Sequence, residues 1–128
     1  MTQQHAKKQF YPTAEPTIAV LFIHYGEDWI RGSEVCLLNL MAHLPKPFVP
    51  VLWCNQARLA QAAQARGIDE VYTSAGLSIN WSNLILGQNL ISKHQIKLIH
   101  ANSAAPVKLA SAIARQANLP LLCHLHAR

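Results

Sequence analysis

Four of the seven histidines, His24, His100, His124 and His126, fall directly after apolar runs, and a Gly32-Ser33-Glu34 turn follows the first of those runs. Imidazole can donate from one ring nitrogen and accept at the other. Histidines gathered at one edge therefore suit a zinc site, satisfied structural positions, or polar contacts to a bound ligand, sugar hydroxyls included. His124 and His126 are two apart on an extended segment and point the same way. The cysteines fit no zinc spacing with the four, which weighs against a metal. Gly32-Ser33-Glu34 opens a run with helical spacing. A helix start presents unpaired N–H groups and the positive end of its dipole to an anion, and glycine lets a phosphate approach the backbone without a Cβ in the way. Asn102 and Ser103, just past His100, add polar groups at the same edge. Glu34 and Asp28 read as a first-turn helix acid and a loop acid, with no Ser or Cys nucleophile at readable spacing. His5, His43 and His94 are expected to be plain surface residues.

The elements that must position these groups alternate along the chain. The first strand is expected over 17–23, apolar at every position, as in a central parallel strand covered on both faces. Ser33 or Gly32 is expected to cap a helix over 33–44, with Val35, Leu38, Met41 and Leu44 as its inner stripe. Pro45 and Pro47 end it. The second strand is 48–54, with Pro50 pointing to a start at Val51. An Ala-rich helix over 57–66 stops at Gly67 as a left-handed cap. A short third strand spans 70–73, and a loop runs over 74–82. A helix over 83–94 carries an internal Gly87. A fourth strand spans 98–101, a helix of small residues 105–117 stops at Asn118, and a fifth strand follows from Pro120 to His124 or Leu125. Strand–helix alternation predicts parallel βαβ units. The fold class is therefore α/β: a doubly wound, Rossmann-like parallel sheet of five strands, order 3-2-1-4-5, with helices on both faces. Its switch point lies between strands one and four, where ligands bind outside the carboxyl ends.

Composition narrows the rest. At 128 residues the chain is one domain in size, and at 51% hydrophobic and 13% charged it can bury a core. Residues 1–16 read as a flexible polar leader without a signal peptide's apolar centre, so a cytoplasmic location is the default. No apolar run reaches the length of a membrane span. The net charge of +5 suits a phosphate-bearing ligand or an anionic membrane surface. The basic residues form no cluster interleaved with aromatics, so nucleic acid is not expected. Cys36, Cys54 and Cys123 are odd in number, fit no zinc spacing, and are expected as buried thiols. The first turn is not a dinucleotide fingerprint, and neither a P-loop nor a nucleophile elbow is present.

With these pieces placed, the chain resembles the N-terminal domain of a GT-B type glycosyltransferase of family 4. The resemblance rests on the first strand with Gly32-Ser33-Glu34 and Leu37-Leu38-Asn39-Leu40, on Leu98-Ile99-His100-Ala101-Asn102-Ser103, and on Asn118-Leu119-Pro120 running to His126. It implies an acceptor-side domain, 17–128, of a retaining enzyme that moves a sugar from a nucleotide-sugar donor to an acceptor hydroxyl. It further implies that no metal or other cofactor is needed. By position, Gly32 and Ser33 would approach the donor diphosphate, and His126 would lie near the transferred sugar as the catalytic histidine. His24, His100, Asn102, Ser103 and His124 would line the cleft or meet the acceptor. A donor domain with paired glutamates would complete the enzyme, so the chain alone is expected to be an inactive fragment. Such domains are compatible with peripheral membrane contact at the inner face. The fifth strand is expected to leave Leu121, Leu122 and Leu125 poorly covered, favouring self-association. The alternative is a non-catalytic Rossmann-like binding or interaction module.

Overall fold

A computed structural model of the chain describes residues 16–125. His5, residues 1–15 of the expected 1–16 leader and His126 lie outside the described residues. Nine elements alternate in order: β1 (Ile18–His24), α1 (Gly32–Ala42), β2 (Phe48–Cys54), α2 (Ala57–Ala65), β3 (Glu70–Thr73), α3 (Trp81–His94), β4 (Ile96–Ala101), α4 (Val107–Ala117) and β5 (Leu121–Cys123). Every strand pairing is parallel and the strand order is β3-β2-β1-β4-β5. The chain is thus an α/β, Rossmann-like doubly wound sheet whose direction of winding reverses between β1 and β4.

Strand alternation divides the core in two. Ala19, Leu21 and Ile23 of β1, with Val51 and Trp53 of β2, face α3 and α4. Val20 and Phe22, with Leu52 and Cys54, face α1 and α2. Both faces of β1 are covered, which is why that strand is apolar throughout. Pro50 sits inside β2 after all. Its Cα partner is Val20 on one side, while β3 pairs only from Val51 onward, so the proline lies where the strand has a single neighbour. Trp53 is fully buried, and its indole N–H donates to Ser74 Oγ at 2.9 Å.

Several local expectations are corrected. Arg31, extended at φ −112°, is the N-cap of α1, so Gly32, Ser33 and Glu34 occupy its first three positions. The buried positions of that helix are Glu34, Leu37, Leu38 and Met41, whereas Val35 is 40% exposed. An acidic residue displaced the expected apolar one because its carboxylate has buried partners, described below. Asn80 caps α3, which begins two residues earlier than the apolar pattern suggests, its Oδ1 accepting the Asn83 N–H at 2.8 Å. The Asn83 side chain in turn donates to the carbonyls of Gly76 (3.0 Å) and Ser78 (2.8 Å), pinning the preceding loop. Only Cys54 is buried; Cys36 and Cys123 are exposed. His94 is no plain surface residue either. Its Nε2 lies 2.7 Å from Tyr72 Oη and 3.5 Å from Glu70 Oε1. Gly67 (φ 90°) is left-handed as expected, and Asn118, the expected stop of α4, is left-handed as well (φ 56°).

Gly87 explains itself by packing. A Cβ there would meet Ile113 Cδ1 at 2.3 Å and Trp53 Cζ3 at 3.4 Å, so the glycine lets α3 and α4 approach over the sheet. Replacing it by valine should cost about 2 kcal/mol or more through overpacking. Gly32→Ala, where a Cβ would meet nothing within 4 Å, should leave stability unchanged or slightly raised. Urea unfolding of both variants measures the contrast.

Candidate functional site

The carboxyl ends of β1 and β4 open onto a cleft of about 690 Å³ at the switch point. His24 and Glu34 lie at its floor, Ser33 of α1 and Ser103 past β4 in its walls, and Tyr25, Trp29 and Arg31 on its rim. The rim is aromatic and exposed: Tyr25 and Trp29 are 43% and 46% accessible, and the Arg31 guanidinium stacks 4.5 Å over the Trp29 ring. Arg31 Nη2 also donates to Glu27 Oε2 at 3.0 Å.

Beneath the cleft the Glu34 carboxylate is saturated. Oε1 accepts from the Arg31 N–H at 2.9 Å and from Ser33 Oγ at 3.1 Å. Oε2 accepts from His24 Nε2 at 2.8 Å and from Gln56 Nε2 at 3.1 Å. Four donors fill the four acceptor positions of a carboxylate. Burial alone would raise the Glu34 pKa. The hydrogen bonds from His24, Gln56 and the Arg31 N–H outweigh that and hold it at about 2. Because a carboxylate can only accept, the proton on His24 sits at Nε2, and Asn102 Nδ2 donates to Nδ1 at 3.1 Å. Both ring nitrogens of His24 are thereby engaged, and the ring is 1% exposed.

The loop between β1 and α1 is tied to the start of α2. Gly26 N–H donates to Asn55 Oδ1 (3.0 Å) while Asn55 Nδ2 donates to the Gly26 carbonyl (2.8 Å). Gln56 Nε2 also donates to the Glu27 carbonyl. Asp28 is not a plain loop acid: its Oδ1 accepts the Arg58 N–H at 2.9 Å and caps α2 from across the loop. Gly26, not Gly32, is the glycine that packing demands here. A Cβ at Gly26 would lie 2.9 Å from Glu34 Oε2 and 3.0 Å from Gln56 Nε2. Gly32 faces open space.

The expected site residues separate into two groups. His24, Ser33 and Ser103 line the cleft, with Gly32 exposed beside Ser33. His100, Asn102 and His124 are not in that wall. His100 is buried with its ring 4.8 Å from Phe22 and 5.9 Å from exposed His124. Asn102 is turned inward by its bond to His24. Among the described residues no group of three or more metal-ligating side chains converges, so the histidines do not form a metal cluster there. Asn55, Gln56 and Asp28 carried no motif in the sequence; the only available signal was an Asn-Gln pair directly after the second strand. Cys54, raised to about 11 by burial and donating to the Gln56 carbonyl, is an inert thiol.

Comparison with protein-family models, with curated proteins and with solved structures finds no match.

Because the Glu34 pKa is depressed, its contribution to stability is full above the ordinary carboxylate value of 4.5 and is lost as pH falls toward 2. The melting temperature should therefore fall through that window. Glu34→Gln should flatten this acid limb and cost about 3 kcal/mol near neutrality, since an amide cannot accept from four donors. Thermal melts of both proteins across pH check the sign and the size.

Proposed function

We propose that this chain is the acceptor-side part of a retaining glycosyltransferase that uses a nucleotide-sugar donor. The observation that carries the reading is the cleft at the β1–β4 switch point with the first turn of α1 in its wall. The first-turn N–H groups of α1 have no acceptor within the helix. The Glu34 carboxylate takes the N–H of Arg31, outside that turn, and so leaves the Gly32–Ser33 edge for an external anion. A diphosphate there would gain hydrogen bonds and the helix dipole. Arg31 on the rim adds a cation, and the Tyr25 and Trp29 rings offer faces suited to a sugar or other apolar ring.

In this reading the chain binds and orients, and it helps to neutralise the departing diphosphate by preorganised donors. It supplies no general base from the cleft floor, because His24 and Glu34 spend their polar atoms on each other and on Gln56, Asn102, Ser33 and the Arg31 N–H. That same engagement favours a second reading, a Rossmann-like module that binds an anionic ligand without turnover. The two differ in whether sugar is transferred once a donor-binding domain is supplied.

The 128 residues alone should show neither sugar transfer nor nucleotide release. Titration with pyrophosphate or a nucleoside diphosphate should shift the backbone amides of Gly32, Ser33 and Ser103 most. Gly32→Pro offers a specific test. Proline is tolerated at the first helical position, and the extended Arg31 before it already has the backbone that a pre-proline residue prefers. The variant should melt like the parent yet bind pyrophosphate about fivefold more weakly, having lost one donor. Turnover by the chain alone, or amide shifts confined to another face, would refute the proposal.

A further inference from the structure

The charge of this chain is divided unevenly between its halves. Residues 1–70 carry six basic and six acidic side chains; residues 71–128 carry five basic and none acidic. The whole net charge of +5 therefore belongs to the second half, which builds α3, β4, α4 and β5. Within it no charged residue occurs between Glu70 and Lys93. That uncharged stretch exposes Ile79, Trp81 and Ile85 at 52%, 78% and 48%.

These three apolar side chains are held outward by a fixed frame. Asn80 caps α3, and Asn83 ties the loop before it through two backbone carbonyls. Trp81 and Ile85, one turn apart, share a side of α3 and line a shallow groove with Gln88 and Gln116. The neighbouring helix supplies the charge. Gly87 abuts Ile113, and Gln88 donates to Gln116 Oε1 at 2.9 Å, so α3 and α4 lie side by side in one direction. That offset sets Lys108 level with the turn at Trp81 and Arg115 level with Asn89. Lys108 and Arg115 are both exposed and seven residues apart, hence on one side of α4.

We infer that the α3–α4 face docks on an anionic lipid surface, with Ile79, Trp81 and Ile85 entering the headgroup region beside the Lys108–Arg115 row. Tryptophan favours that boundary because one end of its ring is apolar and the other donates a hydrogen bond. Apolar insertion and basic attraction together give the two contributions that stable peripheral attachment needs. The absence of any acidic residue beyond Glu70 removes the repulsion that an anionic surface would otherwise meet. This face is on the opposite side of the sheet from α1, so the inference stands apart from the reading of the cleft.

The test is sedimentation of the full chain with phosphatidylcholine vesicles, with and without roughly a third phosphatidylglycerol. Binding should be at least about tenfold tighter to the anionic vesicles and should weaken as salt rises from about 0.05 to about 0.3 M. Brominated lipid should quench fluorescence in the parent and much less in Trp81→Phe. The paired variants Trp81→Ser/Ile85→Ser and Lys108→Gln/Arg115→Gln, all at exposed positions, should melt like the parent and each bind about tenfold more weakly. Equal binding to neutral vesicles, no binding at all, or paired variants that bind like the parent would overturn the inference. So would a dimer that Trp81→Ser dissolves, which would assign the face to a second copy. Tighter binding to duplex DNA than to vesicles, abolished by Lys108→Gln/Arg115→Gln, would assign it to nucleic acid.

Discussion

One buried carboxylate organises the functional edge of this domain. Glu34 stands at the third position of α1, against the end of β1, and accepts from four donors on three separate stretches of chain. Burying a charge is costly unless its lone pairs are satisfied, and here all of them are. The result is a single rigid junction. It fixes where α1 begins, orients the His24 ring, and through Asn102 reaches the end of β4. It also explains why Gly26 must lack a side chain, since a Cβ would push into the same carboxylate and into Gln56.

The cleft is a consequence of that junction. The reversal of winding between β1 and β4 would leave a crevice in any sheet of this order. Its particular depth and lining come from how the loop of residues 25–31 is anchored. Asn55 clasps Gly26, Gln56 bridges the loop to Glu34, and Asp28 caps the next helix. These bonds anchor the loop that carries the Trp29–Arg31 stack at the rim, and Ser33 and Ser103 both line the opening. The polar groups at the floor are spent on holding shape. The groups that remain for a ligand are those of the wall and rim.

The two faces of the sheet differ in the charge they carry. On the α1–α2 side, Glu27, Asp28 and Glu34 are hydrogen-bonded within the network that anchors the loop of residues 25–31. On the α3–α4 side, tight packing at Gly87 brings together two helices whose charged side chains are all basic. The proposed ligand cleft at the sheet edge and the proposed lipid contact on one layer would therefore draw on different residues.

Much of the architecture was already legible in the residue pattern. The all-apolar run of β1, the alternation of strand and helix signals, and the stops at Gly67 and Asn118 each act locally, so they specify element type and sheet order without reference to distant residues. What local pattern could not give was the partnership of polar groups across the sequence. Glu34 and His24 are ten residues apart, His24 and Asn102 seventy-eight, and Glu34 and Gln56 twenty-two. An apolar stripe through Val35 was the natural reading because a lone glutamate belongs in water; only the fold brings the four donors that let it leave. His100 and Asn102, by type and position, were candidates for the cleft. The tertiary structure turned one onto Phe22 and the other onto His24, because a buried polar group goes where its hydrogen bonds and contacts are, and that place is set by strands the sequence lists far apart.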